Sequence, residues 1–260
     1  MNAEAFLDVF RAVELLIIII MTIRLIVSGK NSTRLVFFAL AAGCLMFSDF
    51  YWLVYDTMYP EFRMPFAANE FGENAMFVLL GASLARGRKI RFSGAVIGML
   101  ASIIFSAWCT GLWIGWSGEW LQDIFTGVVM AYFLCALVAE IMQEKAMPKL
   151  AGRLMAVGSL IVLCGQTGTF LVNDGAKRSI DLFCYVLMFV IAAVLIFISV
   201  YSIIMKIEPK QGVCHAFSAF IWVITTMYMS EGVFHTVALA LSAVCFFLMY
   251  IEIKREATQA

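Results

Sequence analysis

Residues 48–74 read SDFYWLVYDTMYPEFRMPFAANEFGEN. The stretch holds five acids, Asp49, Asp56, Glu61, Glu70 and Glu73, against one base, Arg63. Uncharged apolar runs flank it, at 35–47 before and 75–85 after. Pro60 and Pro65 bracket its middle, where a missing backbone N–H does least harm. This is the pattern of two hydrophobic helices joined by a short turn, with carboxylates gathered at the turn end of each. A connection this short makes the two helices antiparallel neighbours.

The rest of the chain has the same character. It is 63% hydrophobic and only 14% charged, with 23 Phe and 16 Met among 260 residues and a mean hydropathy of +0.94. The length would suit one large soluble domain or two small ones, but the composition describes a protein dissolved in lipid. A spanning helix needs about 20 apolar residues. Nine segments qualify, at 12–29, 35–59, 66–85, 95–116, 121–142, 154–173, 181–205, 213–229 and 232–251. The expected fold is therefore all-α: a polytopic helical bundle, one transmembrane domain over 1–260 with no soluble domain. Residues 213–251 hold the two shortest spans and fit either two helices or one re-entrant unit. The N-terminus begins acidic and shows no small-residue cleavage site after its apolar run, so the first span is expected to stay as an anchor.

Lys and Arg give the expected orientation. One set of alternate gaps, with the C-terminal tail, carries thirteen bases: Lys30, Arg34, Arg86, Arg88, Lys89, Arg91, Lys145, Lys149, Arg153, Lys206, Lys210, Lys254 and Arg255. The other set carries four, Arg11, Arg63, Lys177 and Arg178. The bias puts the N-terminus outside and the C-terminus in the cytoplasm, as in a multi-pass protein of the cytoplasmic membrane. Trp52, Tyr55, Tyr59, Trp113, Trp116 and Trp120 gather at the outer boundary, as interface-seeking rings do.

In that frame Asp56 lies one turn beneath the outer surface and Asp49 about 15 Å beneath it, at 1.5 Å per residue. The two are seven residues apart on one helix face, with Trp52 between them. Asn69, Glu70, Glu73 and Asn74 occupy the first turns of the next span. A carboxylate facing lipid costs ~2.5–3.5 kcal/mol, so these groups must face protein or water. Simpler roles also fit: Glu70 suits the positive end of its helix, and Asp56 can reach the surface. Asp49 has no base nearby in sequence. The candidate ligand- or ion-binding residues are Asp49, Asp56, Glu70, Glu73, Asn69, Asn74, Trp52 and, from the sixth span, Gln166. Among the other polar residues of the outer half, Thr110, Thr167, Asn173 and His235 suit helix–helix hydrogen bonds. At the inner end, Arg24 and Glu140 read as anchors.

Gly94, Gly98, Ser102, Ser106 and Thr110 recur every fourth residue, which lets helices approach closely and predicts a central place for the fourth span. A faint echo between 41–54 and 156–172 suggests a parallel duplication of the second-to-fourth and sixth-to-eighth spans.

Several function classes are excluded or disfavoured. No phosphate-binding loop, G-x-S-x-G or H-E-x-x-H occurs. Seven scattered cysteines include no C-x-x-C and read as small hydrophobes. Two histidines, His215 and His235, exclude a three-His metal site. No late span carries a lysine for a retinal Schiff base. No basic tract suits nucleic acid. No cofactor is expected, and the partners are membrane lipids and a small cation or amine. GCLMFSDFYWL (43–53) resembles the Gly…Ser-Asp helix of lysoplasmalogenase-like membrane hydrolases; the resemblance covers one helix, and the His and Tyr it implies on the following span have no counterpart. The leading expectation is a cation-coupled or cation-binding transporter, not an enzyme. Behind it stand a lipid-modifying hydrolase using paired carboxylates and a sensor acting through a partner protein. If Asp49 binds a cation, Asp49→Asn should abolish activity and leave the fold intact, since an uncompensated carboxylate at that depth is a cost.

Overall fold

The structure, a computed structural model, describes residues 3–30, 32–58, 68–85, 92–143 and 149–259. Among the described residues there are nine α-helices and no strand: α1 (Ala3–Val27), α2 (Thr33–Met58), α3 (Ala68–Ala85), α4 (Phe92–Ser117), α5 (Trp120–Gln143), α6 (Lys149–Gly168), α7 (Asp174–Ile204), α8 (Pro209–Met229) and α9 (Val233–Gln259). Five of them, α2, α4, α5, α7 and α9, are long and apolar enough to cross a membrane. The architecture is that of a helical membrane bundle.

Helix starts depart furthest from the hydropathy reading in two places. α1 begins nine residues early and takes in Asp8 and Arg11. It is amphipathic in an inverted sense: Phe6, Phe10 and Val13 are exposed while Asp8 and Arg11 are buried. α7 begins seven residues early because Asn173 caps it, accepting a hydrogen bond from Ala176 N at 3.1 Å. An Asn at this position satisfies one of the donors that a helix start leaves open. Residues 213–251 form two helices, joined through Gly232 at a φ of +61°, a left-handed conformation that suits glycine.

Named contacts show that the helices alternate in direction. At one end, Trp108 of α4 donates to Thr167 Oγ1 of α6 at 3.0 Å, and Tyr185 of α7 donates to Met229 O of α8. At the opposite end, buried Arg34 of α2 joins α3, α5 and α9. It donates to Ser83 O (3.1 Å), Leu84 O (3.2 Å), Glu140 Oε1 (2.6 Å) and Glu256 Oε2 (2.7 Å). Glu140 is thus the buried counter-ion of Arg34, a closer role than that of an anchor beside a lysine-bearing loop. Arg255 donates there to Glu252 and to the Ser202 and Ile207 carbonyls, fastening α9 to the end of α7.

Between the ends lies an apolar layer. Phe38 of α2 stacks on Phe246 of α9, which meets Phe220 of α8 edge-on; Phe77 of α3 packs on Phe133 of α5, and Phe133 on Phe217 of α8. The centre is thus built by α2, α3, α5, α8 and α9. α4 is peripheral, against expectation: it packs on α5 and α6, and only 17% of its apolar window is buried. Its small residues secure one close contact, Gly98 against Val138 and Thr110 against Gly127. Ile97, Leu100 and Ile104 on its other side stay exposed. A row of small residues sets how near one neighbour comes and says nothing of how many neighbours there are. The triplets suggested by the internal echo also pack differently. Among the described residues α7 and α8 lie along each other, whereas α3 and α4 make no contact.

The α2–α3 pair positions the acids, and Gly72 lets it form. A Cβ at Gly72 would stand 2.9 Å from the Cys44 carbonyl oxygen, a backbone atom that cannot give way. Gly72→Val should therefore lower stability by about 1–3 kcal/mol through overpacking. Gly43→Ala on α2, with nothing within 4 Å, should be neutral or gain up to about 1 kcal/mol from helix propensity. Thermal midpoints of the two purified variants check this.

Candidate functional site

Seven helices contribute to one cavity at the end where α1, α3, α5 and α9 begin. Its volume is about 380 Å³. α1 supplies Asp8 and Arg11, α2 Trp52, α3 Asn69 to Phe77, α4 Trp113 and Trp116, α5 Gln122, Asp123 and Thr126, α8 Tyr228, and α9 His235. Phe77 belongs also to the aromatic layer, so that layer floors the cavity.

Five of the eight candidates from the sequence line this space: Trp52, Asn69, Glu70, Glu73 and Asn74. They meet because α3 lies closely against the middle of α2 where Gly72 faces Cys44 and Ser48. Glu73 has both oxygens engaged, accepting from Ser48 Oγ at 2.9 Å and from Tyr228 OH at 2.6 Å. Glu70 sits in the first turn of α3 and Asp123 in the first turn of α5, where the helix dipole favours a carboxylate. Asp123 also accepts from Ser117 Oγ at 2.5 Å, which ties the α4–α5 turn.

The other three candidates fall elsewhere. Asp49 is fully buried beneath the cavity and bound by Arg11, whose Nε donates to Asp49 Oδ2 at 3.0 Å and whose Nη2 donates to Asp49 Oδ1. Arg11 Nη1 donates on to Ser242 Oγ of α9 at 3.0 Å. The base missing from Asp49's surroundings in sequence thus comes from the first turns of α1. Gln166 is not at the cavity; its Nε2 donates to Asp181 Oδ1 of α7 at 3.1 Å. Depth along a helix, which sequence gives, does not fix the direction a residue faces. The Asp56 side chain lies outside the described residues, as do Glu61 and Arg63.

Sequence reasoning passed over Asp8, Arg11, Gln122, Asp123 and Tyr228. The signal for the first two was the polar face of α1, with Asp8 and Arg11 three residues apart among residues whose apolar faces point outward. Asp123 and Tyr228 sit at helix ends, where a polar residue is unremarkable in sequence.

Electrostatically the cavity is acidic. Asp8, Glu70, Glu73 and Asp123 line it, and the guanidinium among them is already held by Asp49. With three indoles in the wall, such a space attracts organic cations by charge and by cation–π contact. Among the described residues no group of three His, Cys, Asp or Glu side chains is placed to hold a metal ion.

Comparison with protein-family models, with curated proteins and with solved structures finds no match for this chain.

The Arg11–Asp49 pair alters what loss of Asp49 should do. Asp49→Asn strands a buried guanidinium, and breaking a buried pair on one side costs about 3–5 kcal/mol. The single variant should be markedly less stable than wild type. The double variant Arg11→Met, Asp49→Leu should recover most of the loss. Thermal unfolding of the four members of this cycle in detergent measures the coupling; independent, additive losses would mean that the pair does not join α1 to α2.

Proposed function

We propose that this chain is a small cation-binding transporter or permease of the cytoplasmic membrane, with the cavity as its substrate site. One observation carries the reading: four carboxylates and three tryptophans line a single-ended cavity whose arginine is already neutralised. The far side is closed by the phenylalanine layer and by the Arg34 network, as an outward-open state of a transporter requires.

The same reading takes all nine helices as spans, with the N-terminus outside. Paired, inward-facing charges such as Arg11 and Asp49 let α1 cross the bilayer despite the charged residues it carries. The thirteen-to-four distribution of bases favours the cytoplasm for the Arg34 end. The cavity then opens outward. Reporter fusions after Glu119 and Gly175 should read exterior, and fusions after Arg91 and Lys149 should read cytoplasm; a cytoplasmic signal at Glu119 overturns this frame.

A closed far side also favours a receptor that binds without passage, and uptake by proteoliposomes separates the two. Binding is tested first. Occupied at a hundredfold its Kd, a ligand should stabilise the native protein by about 2.7 kcal/mol, so a panel of inorganic and organic cations should include members that raise the thermal midpoint. Glu70→Gln should weaken that effect without abolishing it, because Asp8, Glu73 and Asp123 remain. If no cation stabilises wild type, the acids are structural and the reading fails.

A further inference from the structure

The cavity wall contains acceptors that no described donor meets. Asn69 and Asn74 are 3% and 6% exposed, and neither Asn69 Oδ1 nor Asn74 Oδ1 accepts a hydrogen bond from a described residue. Gln122 Oε1 across the cavity on α5 is in the same condition. The orientation of Asn74 is determined by chemistry. Its amide nitrogen donates to Glu70 O at 2.9 Å, and a carbonyl can only accept, so the amide oxygen must be directed elsewhere. Buried acceptors are rarely left unmet in folded proteins.

The guanidinium at the wall is already engaged. Arg11 gives its Nε and Nη2 protons to Asp49 and directs Nη1 to Ser242 Oγ and Met227 Sδ. An anionic group entering the cavity would meet four carboxylates and a guanidinium already bound. A group bearing N–H protons would meet acceptors on two walls.

Resting on the reading that the cavity takes a cation, we propose that its occupant is an organic ammonium ion with N–H protons and no acid group, a primary or secondary amine on an apolar body. The N–H group belongs at the Asn69–Asn74 face with Glu70, and the apolar body against Trp113, Trp116 and Phe77. A volume of about 380 Å³ is many times that of a bare metal ion and accommodates an arylalkylamine. It falls at the small end of the roughly 300–1,000 Å³ typical of small-molecule sites.

A matched series tests this on the purified wild-type chain: phenethylamine, its N,N,N-trimethyl derivative, phenylalanine and sodium chloride. Binding is read by tryptophan fluorescence, since Trp52, Trp113 and Trp116 line the site, and by thermal midpoint. Phenethylamine should bind. The trimethyl derivative, which loses its N–H donors, should bind at least about tenfold more weakly, the worth of one net hydrogen bond. Phenylalanine, which adds a carboxylate, should be weakened at least as much. Asn69→Leu leaves the Asn74 hydrogen bonds in place and should narrow the ratio between the primary and trimethylated amines; where that variant does not fold, the wild-type ratio decides. Equal or tighter binding of the trimethyl derivative or of phenylalanine overturns the inference, as does stabilisation by sodium alone, and each leaves the cation reading standing. No binding by any member overturns both.

Discussion

Two guanidinium groups inside an apolar bundle constrain everything else about this structure. Arg11 and Arg34 are 3% and 2% exposed, and neither can be left facing hydrocarbon without its counter-ions. The partners come from remote parts of the chain. Arg11 needs Asp49 of α2 and Ser242 of α9; Arg34 needs Glu140 of α5 and Glu256 of α9. Hydrocarbon gives one apolar helix little reason to prefer one register over another. The two charged clusters supply that reason, one near each end, and α2 and α9 take part in both.

The ends differ in their charge balance, and the cavity follows from the difference. Arg34 is shared between two carboxylates and two carbonyl oxygens, so the side chains there draw together. At the other end Asp49 holds Arg11 by two hydrogen bonds, and Asp8, Glu70, Glu73 and Asp123 line the cavity beside it. Ser48 and Tyr228 hold Glu73 by hydrogen bonds, which fix its place without neutralising it. Glu70 and Asp123 lie in the first turns of their helices, at the positive end of each dipole. Like charges at helix N-termini resist closing on one another. The open end is therefore the acidic end.

The helical class was legible because runs of about 20 apolar residues are long enough to average out single polar intrusions. The site was legible where two conditions met, as at Trp52, Asn69, Glu70, Glu73 and Asn74: adjacent helices and a short turn. Gln166 shared their depth and not their direction, and direction depends on rotation about the helix axis, which hydropathy does not report. Arg11 was hidden for a related reason. Counted along the chain it sits before the first apolar run, so it resembles a loop base; only the face it shares with Asp8 shows that it turns inward. Its pairing to Asp49, 38 residues away, has no local signature.

The same blindness to direction explains why the fourth helix was misplaced and the eighth undervalued. A helix surrounded by other helices never meets lipid, so it tolerates short apolar length and polar side chains. In α8 every residue from Val213 to Phe220 is buried, His215 and Ser218 among them. Its apolar part, Val213–Met229, is too short to count among the five candidate spans. α4 is left exposed over most of its surface, and its small residues serve one seam with α5. Hydropathy alone does not separate the two cases: the apolar window of α9 is no less hydropathic than that of α4, yet most of it is buried. Centrality is carried by helices that can afford polar residues, and those are the helices, α3, α8 and α9, on which much of the cavity wall is built.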